Sequence, residues 1–138
     1  TEVLSTASAR RAPAELLGSE TVLVVEDEAS LRALTERILH RYGYTVLLAA
    51  NGEEARRVCT EHQGPIHVVL MDVVMPGESG RSVANWMEQR RPEAKIIYVS
   101  GYTDNAIAHH GVLDPGTTFL QKPFTSDVLV STIRGVLS

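Results

Sequence analysis

From residue 21 onward the chain alternates short β-branched apolar runs with longer segments of helical period. That alternation restricts the fold to a parallel sheet with helices on both faces. Five runs have strand length, at 21–25, 45–49, 67–71, 95–99 and 117–120. The middle ones are too uniformly apolar to face water, and they predict buried strands.

Between the first two runs, Leu31, Leu34, Ile38, Leu39 and Tyr42 recur at helical spacing, and Gly43 stands where a left-handed cap would stop the helix. Asn51 with Glu54 three residues on marks the start of a second helix carrying Ala55, Val58 and Cys59. Val83, Trp86 and Met87 carry a third, ended by Pro92. A fourth, over 103–110, has little beyond Ile107 and its alanines to bury, so it should be the most mobile element. Leu129, Ile133, Val136 and Leu137 define a last helix beginning at Thr125 or Ser126. Residues 1–19 lack sustained periodicity and read as a linker or tail, leaving 20–138 as the folded unit.

A chain of 138 residues suits one domain, which at that size buries about two thirds of the surface exposed by its unfolded chain. With 43% apolar and 22% charged residues, neither a disordered chain nor a coiled coil is indicated. A net charge of -4 without a basic stripe argues against direct binding to nucleic acid. No apolar run approaches the ~18 residues of a bilayer span, so no direct membrane contact is expected of this chain. Cys59 has no second cysteine to pair with, which favours a reducing, cytoplasmic setting. The first residue is Thr rather than Met, as in a piece of a longer chain.

In open parallel sheets, ligands bind outside the carboxyl ends of the strands, and the polar residues follow that rule. Glu26 and Asp27 end the first run, Asp72 the third and Ser100 the fourth, and Lys122 lies just past the fifth. Three carboxylates brought together repel one another unless a cation neutralises them. Ligation by oxygen alone selects a hard ion, for which Mg2+ is the natural candidate and Mn2+ the alternative.

At these positions the chain resembles the receiver domains of response regulators, over roughly residues 20 to 137. Val24-Val25-Glu26-Asp27-Glu28 is similar to their acidic pair, and Met71-Asp72-Val73-Val74-Met75-Pro76-Gly77 to their phosphoacceptor strand and loop. Ser100-Gly101 matches the hydroxyl position, and Phe119-Leu120-Gln121-Lys122-Pro123-Phe124 the lysine-proline motif. Each piece alone is weak, whereas together, in order at consecutive strand ends, they are highly specific.

The resemblance implies a flavodoxin-like (βα)5 fold, a doubly wound sheet of five parallel strands in the order 2-1-3-4-5. Asp72 would accept a phosphoryl group from a phosphohistidine on a histidine kinase domain or a histidine phosphotransfer protein, the domain catalysing its own phosphorylation and dephosphorylation. Asp27, Asp72 and the backbone carbonyl of Val74 would ligate Mg2+, with Glu26 acting through water. Lys122 and the Ser100 hydroxyl would contact phosphoryl oxygens, and the Lys122–Pro123 peptide would be cis. Ser100 and Phe119 would form the switch, read out on the face built from the fourth helix, fifth strand and fifth helix. Val74 and Tyr102 would tune dephosphorylation by guiding or blocking water. Glu26 and Phe119 depart from the commoner Asp and Tyr. Ser100-Gly101-Tyr102-Thr103-Asp104 with the leading linker is similar to receivers fused to hybrid sensor histidine kinases, a stand-alone regulator being the alternative.

Other functions fit less well. A phosphohydrolase with an Asp nucleophile would place a second Asp two residues on, where Val74 stands. No Gly-rich loop follows the first run to cradle a nucleotide. A receiver-like interaction module that is never phosphorylated is the serious rival, opposed by the intact set of Asp27, Asp72, Ser100 and Lys122. His109 and His110 are neighbours whose side chains diverge on a helix, with no partner at metal-ligand spacing.

Overall fold

The computed structural model describes residues 16–75, 77–101 and 118–138. Strands β1 (Thr21–Val25), β2 (Thr45–Ala49), β3 (Val68–Asp72), β4 (Lys95–Ser100) and β5 (Thr118–Gln121) alternate with helices α1 (Ala29–Arg41), α2 (Gly52–Glu61) and α3 (Gly80–Arg90), and α4 (Ser126–Leu137) closes the chain. All strand pairs are parallel and the sheet order is β2-β1-β3-β4-β5, the expected 2-1-3-4-5. The fourth helix expected over 103–110 lies outside the described residues.

Side chains alternate across the sheet, as a two-residue period requires. Val22, Val24, Val68, Leu70, Ile97 and Val99 point to one side, where Ile38 and Leu39 of α1 and Leu129, Val130 and Ile133 of α4 cover them. Leu23, Val25, Val69, Met71 and Tyr98 point to the other, under Ala55 and Cys59 of α2 and Val83, Ala84 and Met87 of α3. Both faces of β3 are therefore dry, and all five of its residues are buried. Leu39, Leu129 and Ile133 are fully buried, and each such side chain contributes about 1.5–3 kcal/mol through burial. Cys59 is a buried free thiol that fills core volume.

Three of the four described helices start on a side-chain cap, and α1 starts at Glu28 without one. Asn51 Oδ1 accepts from the Glu54 N–H at 2.8 Å, while Glu54 Oε1 accepts from the Ala50 N–H at 2.7 Å. Ser79 and Thr125 cap α3 and α4 in the same way. Gly43, at φ +97°, turns the chain out of α1 into β2. Ordered contacts also precede Glu20, since Leu16 packs against the α1/α4 side of the core and the Gly18 N–H donates to Tyr42 O at 3.0 Å.

Glycine is required at position 80 by proximity. The start of α3 lies against the backbone of Asp72, and a Cβ on Gly80 would stand 2.1 Å from the Asp72 carbonyl oxygen. Gly135 in α4 has nothing within 4 Å of its Cβ position. Gly80→Ala is therefore expected to lower the unfolding free energy by about 1–3 kcal/mol or more through overpacking. Gly135→Ala should raise it by about 0.5 kcal/mol through helix propensity. Urea titrations of the two variants measure both.

Candidate functional site

Strand register gathers the polar residues. Val25 pairs with Met71, so Glu26 and Asp72 emerge side by side at the carboxyl edge. Asp72 pairs with Val99, putting Ser100 one step further out, and Ser100 pairs with Gln121, putting Lys122 one step beyond that. Backbone bonds extend the ladder into the site, from Glu26 N to Ala49 O (3.0 Å), Val73 N to Val99 O (2.9 Å) and Lys122 N to Ser100 O (2.7 Å). The functional side chains thus leave rigid strand ends.

Asp72 is 3% exposed, and Glu26 and Ser100 are buried beside it, while Asp27 faces solvent. Lys122 reaches in from the β5–α4 connection, its Nζ 3.1 Å from Glu26 Oε1 and 3.5 Å from Asp72 Oδ2. The peptide between Lys122 and Pro123 is cis, as expected. Glu26 uses its second oxygen to accept from the Glu28 N–H at 3.1 Å. Asp72 Oδ1 accepts from the Val74 N–H at 3.3 Å. The Val74 side chain is 48% exposed. Phe119 on β5 is partly buried against the α2/α3 side of the core. Tyr102 lies outside the described residues.

Burial, the Glu26 charge and hydrogen bonding with Asp27 push the Asp72 carboxyl up to about 8, against the opposing pull of Lys122. Burial also disfavours the Lys122 ammonium, but the facing carboxylates of Asp72 and Glu26 outweigh it and hold its pKa above the ordinary lysine value. Glu26, Asp27 and Asp72 each offer a carboxylate oxygen, and these atoms lie within 4.8 Å of one another. One ammonium does not balance three carboxylates. An oxygen-only donor set with excess negative charge fits a hard divalent cation.

Two supporting residues escaped the sequence reading. Arg32 on α1 donates from Nη1 to the Glu26 carbonyl oxygen at 2.7 Å, fixing the backbone where the acidic pair leaves β1. Gly80 lets α3 approach Asp72, and its N–H donates to Val73 O at 2.9 Å. An arginine one turn into a helix looks like solvated surface, and nothing in its spacing reveals the target. The glycine could have been flagged, because it opens a helix where propensity disfavours it.

The fold and this site define a receiver-type α/β module. The chain belongs to the response regulator receiver domain family, whose model matches residues 22–134. It is 40% identical over 123 residues to the sensor kinase CckA of Brucella abortus, a match spanning 89% of this chain and 13% of that protein. Among solved structures it resembles the receiver domain of the hybrid histidine kinase CckA, with a TM-score of 0.71 and 30% identity, covering 86% of this chain and 99% of that one. A CheY-like receiver domain protein from Methanospirillum hungatei superposes with a TM-score of 0.74 at 25% identity, covering 87% of this chain and 94% of that one. Among the described residues no helix is long and apolar enough to cross a membrane.

Folding raises the Asp72 pKa, so the folded state binds more protons than the unfolded one. The associated stability is fully present below about pH 4 and is lost as pH rises through about 8. With EDTA present, the urea midpoint of the wild type should fall from about pH 6 to about pH 8.5. Asp72→Asn should flatten that slope and be the more stable protein at the alkaline end. Parallel pH curves for the two would show that the carboxyl carries no such penalty.

Proposed function

We propose that the domain accepts a phosphoryl group onto Asp72 from a phosphohistidine, supplied by a histidine kinase domain or a histidine phosphotransfer protein. The observation that carries this reading is the convergence on Asp72 of Glu26, Asp27 and the Lys122 ammonium. Asp27, Asp72 and the Val74 carbonyl would hold Mg2+, with Glu26 acting through water. When bound, the ion supplies positive charge that keeps Asp72 ionised and offsets the charge of the transferring group.

The chain's own residues divide the remaining work. A carboxylate oxygen of Asp72 bonds to phosphorus as the phosphorus–nitrogen bond to the donor imidazole breaks, and the imidazole leaves with that electron pair and takes a proton. Lys122 neutralises one phosphoryl oxygen and the Ser100 hydroxyl donates to another, which is the positioning and charge balance that phosphoryl transfer demands. Ser100 moving towards the new group, and Phe119 turning with it, would carry the change to the β5–α4 side of the domain. The exposed apolar Val74 side chain orients no water, which favours a long-lived acyl phosphate.

The likeness to CckA supports a parent protein of the hybrid histidine kinase type, with this domain in the cytoplasm. Residues 20–138 would form the receiver, and 1–19 would lead in, tied down at Leu16 and Gly18.

Incubation with Mg2+ and acetyl phosphate should add one phosphoryl mass to the wild type and none to Asp72→Ala, and EDTA should abolish the gain. No gain in the wild type would favour an interaction module that is never phosphorylated, and an equal gain in Asp72→Ala would overturn Asp72 as the acceptor. Val74→Asn should shorten the acyl phosphate lifetime several-fold, read from the decay of the phosphorylated mass.

A further inference from the structure

The loop after Asp72 is fixed to a helix that contributes nothing to the acidic pocket. Glu78, just before α3, receives a hydrogen bond on each carboxylate oxygen from the two terminal nitrogens of Arg56 on α2. Ser82 Oγ donates to the same carboxylate at 2.9 Å. Hydrogen bonds from Arg56 and Ser82 hold the Glu78 carboxyl down at about 2, so the pair stays ionised across the neutral range. The Arg56 guanidinium also lies 5.5 Å from the Trp86 ring centre, and Arg90 approaches that ring at 4.4 Å.

Both side chains are about a third exposed, and two-pronged pairing with an aromatic neighbour is what orients Arg56. Gly52 reinforces the contact, since a Cβ there would stand 2.9 Å from Glu78 Oε1 and 2.8 Å from Val83. Among the described residues the loop is also attached by Val73 N–H donating to Val99 O, Gly80 N–H to Val73 O and Val74 N–H to Asp72 Oδ1, and by Met75, which is buried on the α2/α3 side of the core. Glu78 adds a side-chain tie from the loop to α2.

We propose that the Arg56–Glu78 pair is a positioning brace that ties the loop following Asp72 to α2, sets where Val74 presents its backbone carbonyl, and thereby sets the cation affinity of the site. The brace rests on the receiver reading above, because it acts through the ion that reading requires. Neither residue touches the reacting atoms. Their effect is expected in cation affinity beyond any change in stability.

The test is titration with Mn2+, following the free ion by electron paramagnetic resonance. Arg56→Met and Glu78→Gln should each weaken binding about tenfold, as loss of an outer partner of a metal site does. The double variant should be no worse than either single one, and the swapped pair Arg56→Glu with Glu78→Arg should recover part of the loss. Arg134→Met, which breaks the 2.8 Å ion pair with Glu20, should leave Mn2+ affinity unchanged while costing comparable stability. Should Arg56→Met fail to fold, Glu78→Gln carries the same expectation with a smaller steric change. Wild-type affinity in both brace variants, or an equal loss in Arg134→Met, overturns the brace alone. A wild-type chain that takes up no Mn2+ overturns the receiver reading and the brace with it.

Discussion

A carboxylate at the end of a strand that is dry on both faces sits in about the worst place in a small protein for a negative charge, and Asp72 also has Glu26 beside it. Much of the surrounding architecture answers that problem. Lys122 is brought in from the far side of the β5 end to face both acids. Arg32 holds the backbone from which Glu26 and Asp27 depart. The remaining excess of negative charge fits a divalent ion, which, on the proposed function, would make the carboxylate a competent acceptor for an anionic group. Burial and the neighbouring acids that raise the Asp72 pKa make the ionised carboxylate costly in the bare fold, and a cation in the pocket would have to displace the proton to offset that cost.

The same register that builds the pocket connects it to the rest of the domain. Lys122 N–H bonds to Ser100 O, and Phe119, three residues before Lys122, pairs with Tyr98 two before Ser100. Under the proposed function, a change at the Ser100 hydroxyl would act on two strands already hydrogen-bonded to each other. On the opposite flank, the loop after Asp72 is held through Glu78 to α2 and through Gly80 to Val73, so the acceptor strand is framed from both sides.

The sheet and its order were legible because each strand was a short apolar run between helical segments, and Gly43, Asn51 and Thr125 marked three of the helix ends, whereas α1 starts at Glu28 without a side-chain cap and the Ser79 cap of α3 was not read from the sequence. Asp72, Asp27, Ser100 and Lys122 were legible for a related reason. They stand at strand termini, where a polar residue breaking an apolar run stands out. Arg32 and the Arg56–Glu78 pair were hidden because their importance lies in what they touch, 6 and 22 positions away in sequence, whereas Gly80 carried a readable signal at the start of its helix. Arginine and glutamate on helix surfaces are too common for spacing to distinguish a brace from a solvated side chain. The direct 3.1 Å contact of Glu26 with Lys122 was not legible, because it depends on side-chain conformation, which spacing does not encode.

The central claim is that three acidic side chains and one lysine make a single cation site around the acceptor carboxylate. Crystals soaked in Mn2+ and measured at the manganese absorption edge test it most directly. The anomalous map should show one peak, bounded by the carboxylates of Asp27 and Asp72 and the backbone carbonyl of Val74. A map with no peak there at saturating Mn2+, or with manganese only at unrelated surface carboxylates, would contradict it.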